Sequence, residues 1–224
     1  MKNSYTEIHY GEELRPKNKY DYMVCKHLAD NYFKAKKGNL LDVCCGKGKH
    51  IEIFQEMGFD AWGIDMELTT DNQMIVKCNV DKEKFPFEDN TFDFILVKSA
   101  IEHVRNIYPF MEEVYRVLKK GGKVVILTCD WKAVHKIFYD DADHKSPFTK
   151  FSLKDLLLRY DFKDVSVDNF YYFPTLWKCR FLKIFPPIIS FLCPIWLPQT
   201  VKINPITKII KFSKEKQIIG YGEK

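Results

Sequence analysis

Two aspartates and a pair of glycines make the first group of residues able to do chemistry. Asp42 lies inside an apolar run, Gly46 and Gly48 follow it, and Asp65 ends the next apolar run. Without a Cβ, Gly46 and Gly48 let the backbone turn sharply and allow a ligand close approach. An acid about twenty residues beyond such a loop can accept from the two hydroxyls of a ribose. Together the loop and the acid specify an adenosyl ligand without saying which one. Asp42 is costly to bury unless a donor or cation meets it. A second group consists of His103, His135, His144 and the acids around Asp140, all able to take a proton from a phenol or alcohol.

Both groups require strands and turns to hold them. Short apolar runs alternate with helical patterns, which predicts βαβ units and a parallel sheet. Strands are expected at 39–44, 61–65, 74–78, 93–97, 123–128, 164–169 and 216–221. Helices are expected at 50–57, capped by Gly58, and at 108–118, stopped by Gly121 and Gly122. A third helix is expected from Ser152, as its N-cap, to Tyr160. This gives a doubly wound α/β fold, in which ligands sit beyond the carboxyl ends of the strands, where strand order reverses. The domain reading is one unit: an N-terminal cap over 1–38, a Rossmann-like core over 39–172, an apolar insert over 173–212 and a last strand over 213–224.

Composition narrows the class further. A chain of 224 residues, 46% hydrophobic, can bury one full core. From Leu176 onward nine Lys or Arg face two acids, whereas the first 175 residues hold 26 bases and 28 acids. Such a basic tail suits an anionic partner or a solvated surface. The seven cysteines form no CxxC pair, so neither a disulfide framework nor a zinc site is expected and a reducing cytoplasm fits. The polar first nineteen residues carry no secretory signal, and no stretch reads as a membrane span.

The loop Asp42-Val-Cys-Cys-Gly-Lys-Gly48 resembles that of class I S-adenosylmethionine-dependent methyltransferases of the type 11 group. So do Gly63-Ile-Asp65, the run from Phe85 to Asp93, Ile101-Glu-His-Val104 and the run from Glu113 to Gly122. The resemblance implies a seven-stranded, mostly parallel sheet with an antiparallel last strand. It implies that Asp42, Gly46 and Gly48 hold the methionine end of S-adenosylmethionine and Asp65 its ribose. It further implies that Asn79, Val80 or Asp81 meets the adenine amino group. Lys98, ending the fourth strand, joins them as a candidate at the cofactor. One residue departs from the pattern: Cys44 stands where the family has its first glycine, which predicts weaker cofactor binding.

The acceptor side offers His144, His103 and Asp140 as candidate catalytic groups. His103 reads either as a base or as a structural residue on the cofactor side. The loop from Tyr139 to Thr149 reads either as a polyol pocket, with carboxylates accepting from hydroxyls and rings stacking on sugar faces, or as a solvated acidic surface. The spacing of Asp140, Asp141, Asp143 and His144 matches no standard metal motif, so no metal is expected. The segment 173–212 reads as a substrate lid, a membrane-facing platform or a folded cap. That loop and Leu153 to Phe162 also resemble methyltransferases of surface-glycan assembly, which implies a sugar or glycan acceptor, free or lipid-linked. A quinone methyltransferase and a catalytically silent scaffold, the latter motivated by Cys44, stand as alternatives. Nucleic acid is not expected, because positive charge is confined to the tail without aromatic interleaving.

Overall fold

The computed structural model describes residues 19–68, 72–178, 180–193, 209–210, 213–214 and 216–224. Its centre is one seven-stranded sheet. The strands are β1 (Asn39–Val43), β2 (Asp60–Asp65), β3 (Ile75–Lys77), β4 (Phe92–Lys98), β5 (Leu118–Cys129), β6 (Lys163–Phe170) and β7 (Gln217–Glu223). They lie in the order β3-β2-β1-β4-β5-β7-β6. Pairing is parallel from β3 through β5, while β7 is antiparallel to both β5 and β6. Strand order reverses between β1 and β4, so the crevice for a ligand opens at their carboxyl ends.

The apolar runs are continuous because the central strands are covered on both faces. Successive side chains point to opposite faces, and the two cores follow that alternation. Leu41, Val43, Ile95, Val97, Val124 and Ile126 enter one core. Leu40, Phe94, Leu96, Val125 and Leu127 enter the other. Helices α1 (Lys19–Leu28) and α2 (Lys49–Glu56) supply the latter with Val24, Cys25, Leu28, Ile51, Ile53 and Phe54. Helices α3 (Ile107–Val117) and α5 (Lys150–Arg159) cover the first with Phe110, Met111, Val114, Val117, Leu153 and Leu157. Between them α4 (Trp131–Val134) is a single turn following β5.

Three local expectations are corrected. β1 ends at Val43 rather than 44, because Cys44 has turned to φ 57°. Gly121 and Gly122 do not stop α3; β5 begins directly after Val117 and contains both. The helix end is satisfied from a distance: Lys224 Nζ donates to the carbonyls of Tyr115 and Leu118, at 2.7 Å each. Ser152 is not the N-cap of α5. Thr149 is, and its hydroxyl accepts from the Ser152 backbone N–H while Ser152 Oγ accepts from the Thr149 N–H, a reciprocal capping box.

Beyond β6 the chain forms α6 (Pro174–Lys178) and, after a turn at Arg180–Ile184, α7 (Phe185–Leu192). Trp177 of α6 stacks on Phe170 at 5.0 Å and lies 4.8 Å from the His27 ring of α1. Of the 173–212 insert, residue 179, residues 194–208 and residues 211–212 lie outside the described residues, as do the side chains of Lys178, Arg180 and Lys183. Among the described residues no helix is long and apolar enough to cross a membrane.

Candidate active site

The register brings the first group of residues to one sheet edge. Asp42 pairs across to Gly63 and Leu96, so Val43, Ile64 and Val97 end level with one another. The loop after β1 then folds back against β2: the Cys45 N–H donates to the Ile64 carbonyl. Gly46 donates its N–H to Asp65 Oδ2 at 2.8 Å. The glycine bend and the ribose-type acid are therefore hydrogen-bonded neighbours.

Each glycine has a separate reason to be there. Gly46 has φ 57°, and a Cβ on it would meet nothing within 4 Å, so its exposed side is open space beside Asp65. Gly48 has φ 76° at the start of α2, and a Cβ would come within 2.6 Å of Ile75. Cys44 takes a left-handed conformation that suits glycine, which costs about 1–2 kcal/mol in an L-residue. Its side chain packs half-buried against the core. Burial first, and then the charges of Asp65, Asp42 and Asp81, push the Cys44 thiol well above the ordinary thiol range.

Asp65 accepts from Glu67 N–H at Oδ1 as well as from Gly46 at Oδ2. A carboxylate offers about four lone-pair sites, so capacity for two hydroxyls remains. Burial lifts its carboxyl above the ordinary aspartate value, and the two backbone donors hold it partly back. Asp42 is 2% exposed, and its Oδ2 has no hydrogen-bond partner. His50 Nδ1 stands 3.5 Å from that oxygen, and the sequence reading had missed it. An orphaned buried acceptor at the mouth of the glycine loop is what a ligand ammonium would satisfy.

The adenine candidates are engaged in shaping their own turn. Asn79 Oδ1 accepts from the Asp81 N–H, and Asp81 Oδ1 accepts from the N–H groups of Arg105 and Asn106. Val80 is half-buried against the core. Lys98 ends β4 and faces toward α1: burial raises the Cys25 thiol, and the Lys98 charge opposes that rise.

The second group assembles at the ends of β4 and β5. His103 and His144 lie with ring centroids 4.7 Å apart. The residue between β4 and His103 that sequence reasoning missed is Glu102, which is 3% exposed. Its Oε2 accepts from Thr128 Oγ1 at 2.8 Å, and its carbonyl accepts from the N–H groups of Lys145 and Ser146. Those bonds tie the loop carrying His144 to the turn carrying His103. His144 Nδ1 lies 2.6 Å from the Phe138 carbonyl, which can only accept. Nδ1 therefore donates to it, which leaves Nε2 as the acceptor whenever the ring is neutral. His103 is kept below the ordinary imidazole range, chiefly by burial. Asp140 is exposed; Asp141 is the acid beside His144, 3.9 Å from its Nε2.

A family model described as a methyltransferase domain matches residues 10–167, well over half of the chain. The chain belongs to that family. Its sheet edge fits S-adenosylmethionine, the cofactor of these enzymes, through the buried Asp42 oxygen that no hydrogen bond satisfies, the open face of Gly46 and the spare acceptor capacity of Asp65. Among curated relatives, an uncharacterised protein of Methanocaldococcus jannaschii is 30% identical over 187 residues, covering 79% of this chain and 76% of that protein. Sterol 24-C-methyltransferase of Schizosaccharomyces pombe is 33% identical over 121 residues, covering 48% of this methyltransferase and 30% of the yeast enzyme. Demethylmenaquinone methyltransferase of a Geobacillus strain is 32% identical over 111 residues, covering 43% and 47%. This methyltransferase thus spans less than half the length of either enzyme. Among solved structures, a SAM-dependent methyltransferase of Archaeoglobus fulgidus superposes with a TM-score of 0.64 at 19% identity, covering 98% and 97%. Phosphoethanolamine N-methyltransferase 2 of Haemonchus contortus, solved with S-adenosyl-L-methionine, gives 0.59 at 16% identity, covering 89% and 52%.

Proposed function

We propose that this methyltransferase acts on a hydroxyl group of a sugar or glycan acceptor presented to Glu102, His103 and His144. The observation that carries this reading is the 2.6 Å contact of His144 Nδ1 with the Phe138 carbonyl, which leaves Nε2 as a base. Asp42 and His50 would hold the methionyl end of the cofactor, and Asp65 the ribose. When bound, S-adenosylmethionine supplies the methyl group and departs as the thioether, so the acceptor oxygen gains a methyl and gives up one proton. His144 is placed to take that proton and pass it to water, with His103 against its ring. Holding the hydroxyl in line is the larger contribution, worth about 7–11 kcal/mol of the barrier. Trp131 and the exposed Tyr139 pack edge-on against Phe138 at 5.2 and 5.0 Å and would be the rings on which a saccharide stacks.

The test is transfer of labelled methyl from S-adenosylmethionine to a panel of free and lipid-linked saccharides and of quinones. Label on a saccharide hydroxyl supports the reading, and label on quinone alone overturns it. A quinone or other isoprenoid acceptor is the second reading. It is favoured by the exposed apolar residues of the insert, with Phe181 90% and Phe191 85% exposed, and by the name of the Geobacillus relative. The same residues support contact with a membrane surface, where both kinds of lipid-linked acceptor would be found. Co-sedimentation with anionic vesicles tests that contact, and a protein that stays in the supernatant excludes it.

A further inference from the structure

We propose that Glu102, His103 and His144 form a binding site for a divalent transition-metal ion. One carboxylate oxygen and one ring nitrogen from each histidine all lie within 4.8 Å of one another. An ion with bonds of about 2.0–2.2 Å to such ligands spans up to about 4 Å between opposite ones, so small side-chain rotations close the set.

The surroundings are those a metal requires. A ligating imidazole holds its second ring nitrogen on a carbonyl or carboxylate, which fixes the tautomer and aims the other nitrogen. His144 does so through Phe138, and the His103 ring hydrogen-bonds the Asp143 backbone. The carboxylate is likewise held, by Thr128 Oγ1 at 2.8 Å. Among the described residues no Lys or Arg forms an ion pair with Glu102, although it is 3% exposed. A buried carboxylate facing two imidazoles is a site of negative charge awaiting a cation. Both rings are half-buried, which leaves the outer side open for water or an acceptor.

Two nitrogens and one oxygen select the metal class. Imidazole ligands suit zinc, copper, iron or nickel, whereas magnesium, calcium and manganese prefer oxygen ligands. Three protein ligands with an open position is the pattern of catalytic metals. The inference rests on the reading above for where the acceptor lies. With the ion bound, His144 Nε2 is a ligand and no longer the base, a role it keeps only in the metal-free protein. The ion then acidifies the acceptor hydroxyl, and its proton leaves to water. The expectation of no metal came from the spacing of Asp140, Asp141, Asp143 and His144, of which only His144 belongs to this triad.

The decisive experiment titrates metal-stripped, full-length protein with cobalt(II) chloride and follows visible d–d absorption, with calorimetry for stoichiometry. One cobalt per chain in a site of low coordination number is expected. His144→Ala should abolish the spectrum, and the isosteric Glu102→Gln should weaken it strongly. Thr128→Val, which removes only the hydroxyl on Glu102, should lower affinity about 10–100-fold. Calorimetry of S-adenosylmethionine in the same variants reads the cofactor site separately and should be unchanged. A folded wild-type protein that gives no cobalt spectrum overturns the site, even if it methylates a sugar. Cobalt bound with equal affinity by His144→Ala overturns it as well. Stoichiometric cobalt lost in the variants supports the site even if every saccharide in the methylation panel fails.

Discussion

The two halves of the carboxyl edge of this sheet are built by opposite means. Between β1 and β2 the groups proposed for the cofactor come from one stretch, and backbone conformation positions them: glycines with positive φ and a bend bonded to Asp65. At β4 and β5 the groups proposed for the acceptor are residues 102–103 and 144 with Thr128 behind them, and side-chain and loop hydrogen bonds hold them. The first arrangement suits a ligand that never changes. The second can be altered one loop at a time, which is how one fold accommodates many acceptors.

The sharpest way to test this division is to damage one half and read the other. His144→Ala should lower turnover by about 10²–10⁴, the range for losing a general base or its equivalent, with cofactor affinity unchanged. Single-turnover methyl transfer alongside calorimetry would show it. A parallel loss of both would mean that the halves are coupled. The next largest effect should come from Asp65→Ala, which removes charge-assisted bonds worth about 1.5–3 kcal/mol and so weakens cofactor binding by roughly ten- to a hundredfold. Burial has raised the Asp65 carboxyl, so wild-type affinity should begin to fall on acidification at a higher pH than an ordinary aspartate would give. An unchanged dissociation constant in Asp65→Ala would remove this residue from the site.

Cys44→Gly should act more mildly and in the opposite direction. It relieves a left-handed L-residue, a gain of up to about 1 kcal/mol, and should raise both thermal stability and cofactor affinity. A lower melting temperature would mean that the packing of the Cys44 side chain outweighs its backbone strain. The smallest effect expected is on the pH dependence of stability. Burial lowers the His103 value in the folded state below its unfolded one. Its contribution is therefore present above the unfolded imidazole value and lost as pH falls through the folded one. His103→Gln should flatten the melting-temperature profile across that acidic window, and a profile that keeps its slope would assign the acid sensitivity elsewhere.

Much of the cofactor half was legible in the sequence because its determinants are local. Alternating apolar runs and two glycines at a strand end specify a parallel strand, a tight turn and a helix start within a dozen residues. His50 escaped notice because a histidine in the first turn of a helix carries no signal until β1 lies beside it. The ends of α3 and α5 were misread for related reasons. Lys224 supplies the carbonyl partners that Gly121 was expected to make unnecessary, and Thr149 shares the cap with Ser152. The helix at 19–28 packs Val24, Cys25 and Leu28 on the sheet from a polar segment that announced little.

By itself the sequence determined the sheet, its crossovers and the glycine bend proposed for the cofactor, since hydrophobic period and glycine conformation act over a few residues. Only the tertiary structure decided which acids and histidines meet. Glu102 lies between Ile101 and His103 in the chain, and its partners Thr128, Lys145 and Ser146 reach it through the pairing of β4 with β5. Contacts between residues 26 to 44 positions apart leave no periodic trace, because their geometry exists only once the strands have set the distance between them.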